Sequence, residues 1–204
     1  MMAHSKARQS EALRQCHISG KEDAAANMLR FVHAPDAADG TRGVLTPDLA
    51  QHLPGQDDVW LVNSQALVAQ LAALPEMNAP QDLAMRVESL MRQNLAALIS
   101  LARKAGVLVN GFAKTEAALK AKSITLLLAA HDGAEDGRRK LAQKARAMNI
   151  ALCSQLSGDE LGMALGQENV IHAGLTDVGW AARIDREAGR LAAYKGDIDG
   201  RMSE

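Results

Sequence analysis

With 204 residues, 48% of them hydrophobic, the chain can bury one large core or two small ones, and two small domains are expected. Five aromatic residues leave Ala, Leu, Val and Met to do the packing, against an aromatic-rich β-sandwich, and two distant cysteines, Cys16 and Cys153, argue against a disulfide framework or a cysteine-rich zinc site. The net charge of −1 conceals three blocks: residues 1–85 carry 6 basic and 10 acidic side chains, residues 86–146 carry 12 and 5, and residues 147–204 carry 5 and 9. A segment of +7 inside a near-neutral chain is the electrostatic footprint of a polyanion partner. The first residues lack the apolar core of a secretory signal and the longest apolar runs fall far short of a bilayer, so a cytoplasmic protein without a membrane partner is expected.

In chain order, a polar, flexible tail is expected first, then RQCHISG at 14–20 and a helical stretch over 24–28. LRFVHAPDAADG at 29–40 predicts a strand and a turn, and TRGVLTPDLAQHLPG a short extended run into a Pro- and Gly-punctuated loop. DVWLVNSQALVAQLAAL predicts a strand over 59–62 and a helix that Ser64 can cap, with Trp60 in the core. Residues 75–85, with two prolines and no apolar period, read as a linker between a domain over 1–74 and a second over 86–195, with a tail from 196.

The second half turns helical at Leu83, where Val87, Leu90, Met91, Leu95, Leu98, Ile99 and Ala102 recur at three- and four-residue steps. A β-branched run at 107–109 follows, then Asn110-Gly111 and a second helix. SITLLLAAHDG predicts a strand covered on both faces, residues 135–148 a basic helix, NIALCS a buried strand, and SGDELGMALG a short helix capped by Ser157 or Asp159. ENVIHAG then reads as a strand and TDVGWAARIDREAGRLAAY as a closing helix with Trp180 inside. Helices alternating with short strands predict an α/β/α sandwich behind a small mixed α/β domain.

The stretch over 103–122, RKAGVLVNGFAKTEAALKAK, carries the strongest functional signal. A helix opening at Gly111 offers unpaired backbone N–H groups and the positive end of the helix dipole, and Arg103, Lys104, Lys114, Lys120 and Lys122 surround it in sequence. That combination suits phosphate.

Two resemblances add to this reading. R-x-C at Arg14 and Cys16, RFV beginning at Arg30, Pro47-Asp48, Leu53-Pro54-Gly55 and Trp60 resemble the YlxR-like domain, small bacterial proteins associated with nucleic acid, transcription termination and translation. The resemblance implies RNA contacts at Arg14 and Arg30; where that family has Gly-Arg-Gly, this chain has Gly55-Gln56-Asp57-Asp58. ARKAGVLVNG, the strand ending Ala-Ala-His-Asp, ELGMALG and TDVGWA resemble the L-seven-Ae type of ribosomal protein, an α/β/α sandwich that binds kink-turn RNA. The resemblance implies recognition at Gly111 and Phe112 and a second RNA contact at Gln167, Glu168 and Asn169. Ala113, Lys114 and Ala117 stand where that family has Asn, Glu and Lys, so what it implies here is phosphate contact rather than base reading.

No catalytic, metal or cofactor site is expected. Lys114 does not directly follow Gly111, as a P-loop lysine must follow its second glycine, and no nucleophile accompanies His131-Asp132. The expected partner is a structured RNA, ribosomal or other non-coding, in the setting of the ribosome or the transcription machinery. The alternatives are a protein-interaction adaptor on the same fold with a degenerate RNA site and, third, a small α/β enzyme.

Overall fold

A computed structural model describes residues 12–55 and 57–197, so the expected N-terminal tail, Gln56 and the last residues lie outside the described part. The chain divides into two compact units within one helix: the first runs to Leu90 and takes in Ala193–Gly196, the second begins at Met91. The division therefore falls in a helix rather than across residues 75–85. Those residues pack within the first unit, where Met77 and Leu83 are buried and the Asn78 carbonyl accepts the Leu45 N–H at 3.1 Å.

In the first unit, β1 (Leu13–Gln15) and β2 (Glu22–Ala24) form a hairpin, followed by a three-stranded antiparallel sheet in the order β4 (Leu45–Pro47), β3 (Met28–His33), β5 (Val59–Val62). The helix expected over 24–28 is a single 3-10 turn, Ala25–Asn27. Its residues are tied elsewhere: Asp23 accepts from the Ala24 N–H and the Asn27 amide, and the Ala25 N–H donates to the Ala12 carbonyl. Helix α1 (Gln65–Ala72) follows with Ser64 at its N-cap, although the hydroxyl makes no capping bond.

Strand β5 alternates, burying Val59 and Leu61 and leaving Trp60 half-buried on the other face. Trp60 is therefore not the core residue expected; the Arg14 guanidinium lies over its ring, 5.2 Å from the centroid. Across the ladder Arg30 faces Trp60 in register but turns inward. Its Nε and Nη2 donate to the two Asp58 oxygens at 2.9 and 2.8 Å, and its Nη1 to Asp48 and, at 2.9 Å, to the Leu53 carbonyl. Asp48 also accepts the His52 and Leu53 N–H groups at 3.0 Å each. This ion triad shapes the loop between β4 and β5.

The second unit begins on α2 (Leu83–Lys104), whose stripe of Met91, Leu95, Ile99 and Ala102 is buried. Its sheet runs β6 (Leu108–Asn110), β9 (His172–Leu175), β7 (Leu126–Ala129), β8 (Ala151–Cys153), antiparallel except for β7 with β8. Every residue of β7 and β9 is buried, as a sheet covered on both faces requires. Helices α3 (Phe112–Lys120) and α4 (Glu135–Ala147) close one face through a cluster of Leu119, Ile124, Leu127, Leu141 and Ala145. The fold is mixed α/β, as expected.

Two expectations for the second unit give way. Strand β8 is at the edge of the sheet, pairing only with β7, so Ala151 is exposed and Leu152 is 41% exposed rather than buried. Trp180 sits in the first turn of α6 (Val178–Lys195), half-exposed, with the Arg183 guanidinium 4.8 Å from its ring centroid. Helix α5 (Gly158–Leu165) has a reciprocal capping box: Ser157 Oγ accepts the Glu160 N–H at 3.2 Å and the Glu160 carboxylate accepts the Ser157 N–H at 2.7 Å. Both cysteines are free and buried, and burial pushes the Cys153 thiol up to about 11.

The Arg30 triad yields a stability prediction. Arg30→Ala leaves the Asp48 carboxylate, 4% exposed, without its cation, and breaking a buried pair in this way costs roughly 3–5 kcal/mol. Hydrogen exchange in β3 should report a first unit opened by about that amount. A variant with unchanged protection that loses RNA affinity would instead make Arg30 a binding residue.

Candidate nucleic-acid interface

The turn at Gly111 joins β6 to α3 and is set by hydrogen bonds on both sides. The Gly111 N–H donates to the His172 carbonyl at 2.9 Å, extending the β6–β9 pairing, while the Gly111 carbonyl accepts the Thr115 N–H at 3.0 Å and starts the helix. Its φ of +89° lies where a side chain would be strained, so glycine is required here. No side chain caps α3 and no acidic residue occupies its first turn, so the dipole at this end is uncompensated within the helix.

The helix start opens into a cavity of about 480 Å³. Asn110, Gly111, Phe112 and Lys114 line one side, residues 167–172 the other, with Ala134 and Gly137. The loop before β9 is drawn to the turn by a hydrogen bond of 2.5 Å from the Asn110 amide to Gln167 Oε1. The loop's first residue, Gly166, adopts φ +57°, and the Arg103 guanidinium packs so closely against it that a Cβ there would meet Nη1 at 2.5 Å. Arg103, exposed at the end of α2 beside the exposed Lys104, therefore reaches the cavity's loop.

Of the residues the sequence singles out, the structure brings together Gly111, Phe112 and Lys114 on the cavity, with Arg103 at its loop, and Gln167, Glu168 and Asn169 opposite. Lys120 and Lys122 are not there: α3 separates Lys120 from Gly111 by nine residues, about 13 Å of helix. Arg14 and Arg30 lie in the first unit on a smaller cavity of about 310 Å³ with Asp58 and Trp60, and Arg30 is committed to its two aspartates. Asp132 accepts the Gly158 N–H at 2.8 Å and so supports the start of α5, which gives His131-Asp132 a structural task.

Sequence reasoning missed His172, and it read the Arg138-Arg139-Lys140 run of the basic helix as a phosphate contact or a solvated face, leaning to the latter. His172 is 5% exposed, lines the cavity, and meets Phe112 edge-on with ring centroids 5.7 Å apart; its buried Nε2 has no hydrogen-bond partner. Burial, and secondarily the charge on Arg138, hold its pKa below the ordinary value. Lys140 reaches over the Phe112 ring, its Nζ 5.4 Å from the centroid. His172 has no sequence signal and Lys140 only its basic run, because the place of each beside the turn depends on which strand or helix is laid there.

Among the described residues no group of three or more His, Cys, Asp or Glu could hold a metal ion, and no helix is long and apolar enough to cross a membrane. The site thus offers backbone donors, a helix dipole, the Lys114 ammonium and, at its loop, the Arg103 guanidinium, with the Glu168 carboxylate on the facing side.

A family match bears on this same unit. Residues 93–182 match the ribosomal protein L7Ae/L30e/S12e/Gadd45 family. Among solved structures, a protein with unknown function from Bacillus halodurans C is similar at 22% identity, covering 47% of this chain and 96% of that one with a TM-score of 0.45. A Giardia lamblia 15.5kD RNA binding protein is similar at 15% identity, covering 50% of this chain and 88% of that one with a TM-score of 0.42. No curated protein matches the chain.

The His172 ring provides a test of the cavity's electrostatics. Its folded-state pKa is depressed, so as pH falls the unfolded chain takes up the proton first; the contribution to stability is full above the ordinary value of about 6.5 and is lost below it. In an NMR titration His172 should protonate below that value and move part of the way back in Arg138→Ala. Titration at or above the ordinary value would show that a counter-charge reaches the buried ring.

Proposed function

We propose that the second unit binds a structured RNA, holding backbone phosphates at the Gly111 turn without reading base sequence. The observation that carries this is the uncapped start of α3, opened by a glycine into a cavity with Lys114 on its wall and Arg103 at its facing loop. The family match over residues 93–182 and the +7 carried by residues 86–146 support the same reading. Ala113 and Ala117 offer no side-chain groups to base edges, and a lysine at position 114 only donates, so affinity is assigned to charge and to RNA shape.

On this reading the protein is a non-enzymatic, cytoplasmic partner of ribosomal or other non-coding RNA, working with translation or transcription termination. Its first unit, where residues 14–74 resemble the YlxR-like domain, contributes Arg14 stacked on Trp60 as a second contact. Because two tryptophans, two phenylalanines and one tyrosine are too few for a stacking platform, single-stranded RNA is not the main ligand.

One observation favours a second reading. Glu168 lines the cavity opposite Lys114, and a carboxylate there opposes a phosphate, as it would if the fold had become a protein-interaction adaptor. RNA-free protein that still retains a ribosomal or transcription partner would favour the adaptor.

Fluorescence anisotropy with an internally bulged RNA stem, titrated across salt concentrations, tests the RNA reading. With four to six phosphates neutralised, the log–log slope of affinity against salt is expected at roughly −3 to −6. Arg103→Ala, Lys104→Ala and Lys114→Ala together should flatten it by up to about three. An unchanged slope would remove the Gly111 turn as the binding site.

A further inference from the structure

The lysine displaced from the Gly111 turn belongs to a cluster of its own. On the face where α3 packs against α4, Glu116 is approached by three ammonium groups: Lys144 in direct hydrogen-bond contact, Lys140 at 3.4 Å and Lys120 at 4.0 Å. Glu116 is the inner member, its side chain 18% exposed, while the lysines reach outward at 31%, 56% and 65% for Lys144, Lys140 and Lys120. Hydrogen bonds from Lys144 and then Lys140, set against partial burial, hold the Glu116 carboxyl below the usual carboxylate range.

One carboxylate requires one cation. Three ammonium groups within 4.0 Å of it leave a surplus of two positive charges, exposed to solvent and open to a further anion. The acidic residues of α4 do not supply them: Glu135 and Asp136 sit in its first turn, and Asp136 is paired with Arg139 at 3.0 Å. Lys140 and Lys144 are one helical turn apart, about 6 Å along the axis, which is of the order of the spacing between successive phosphates on a strand. Lys140 also lies over Phe112, the first residue of α3, so the cluster runs on from the turn already described.

We propose that Lys120, Lys140 and Lys144 form a second phosphate track along the α3–α4 face, along which one arm of a duplex RNA leaves the Gly111 turn, with Glu116 holding the lysines in line when no RNA is bound. This rests on the RNA reading above and names the part of the ligand it leaves open: a double-stranded arm, met through its backbone. Duplex RNA fits because its deep major groove hides the bases and leaves phosphates and 2′-hydroxyls as the accessible groups.

The test compares two synthetic RNAs that share one bulged core, the second with one arm longer by a helical turn. Wild-type protein is expected to bind the longer RNA about tenfold more tightly at low salt, with a salt slope steeper by about two. The double variant Lys120→Ala with Lys144→Ala should lose that increment and keep the core affinity; should it melt early, the corresponding Lys→Gln pair takes its place. Glu116→Gln removes the competing negative charge and should bind the longer RNA severalfold more tightly than wild type, a gain that a merely structural ion pair would not produce. An increment of equal size in wild type and the double variant, or weaker binding by Glu116→Gln, would overturn the track. So would polyglutamate bound through the same lysines as tightly as the longer RNA, which would assign the face to an acidic protein. Failure of the core RNA to bind wild-type protein removes the Gly111 reading and the track with it, whereas failure confined to the longer arm removes the track alone.

Discussion

The hydrogen bond from the Gly111 N–H to the His172 carbonyl decides what the second unit can do. It carries the antiparallel pairing of β6 and β9 one step beyond the last strand residue, so the first turn of α3 must begin beside the loop that enters β9. Two segments more than fifty residues apart in sequence thereby line one cavity, and the Asn110–Gln167 bond ties them again at its mouth. A left-handed glycine makes the reversal possible in a single residue. Any other residue there would carry a Cβ into a strained conformation and move the helix start away from the loop.

The two units use their cations in different ways. In the first, Arg30 faces the interior and is held by Asp48 and Asp58, with its pKa raised chiefly by Asp58, so its charge shapes a loop and is not presented to solvent. Arg14, half-buried over the Trp60 ring, also lines that cavity and is not held by these aspartates. In the second unit the cations sit on helices α2, α3 and α4, whose apolar stripes are buried and whose opposite faces are left for charge. The +7 of residues 86–146 is therefore a surface property of that unit.

Much of the architecture was legible in the chain because it rests on local pattern. The stripe of Val87, Met91, Leu95 and Ile99 announced α2, the nearly continuous apolar run at 124–130 announced a strand buried on both faces, and Asn110-Gly111 announced the turn. The failures came where neighbours decide. An apolar run at 150–153 looks buried until the sheet order places β8 at an edge. Trp60 reads as core by its hydrophobic flanks, yet the two-residue period of β5 sends it outward. The first hairpin was missed because three-residue strands carry too little pattern to register, and the alanines at 24–26 imitate a helix. The site followed the same rule. Gly111, Lys114 and the 167–169 loop could be placed from sequence, while His172 and Lys140 became visible only once the sheet and α4 were laid against the turn.

Proximity in sequence also grouped Lys120 and Lys122 with the Gly111 turn, and the structure sets Lys120 apart from it for a geometric reason. A helix converts nine residues into about 13 Å, so basic residues spread along it cannot converge on one phosphate. They can, however, follow a backbone whose phosphates are themselves spread along a line. The carboxylates fit that distinction: Glu168 faces the concave turn, where the proposed RNA reading puts a single phosphate, and Glu116 lies among the extended lysines, where the proposed track puts several. Each opposes its ligand by charge, so binding at either place is expected to be modest. A modest energy at two places joined by Phe112 and Lys140 favours a rigid RNA that reaches both, because only such a ligand gains the second contact without losing further freedom. Selectivity of this kind comes from the shape of the RNA and requires no residue that reads a base.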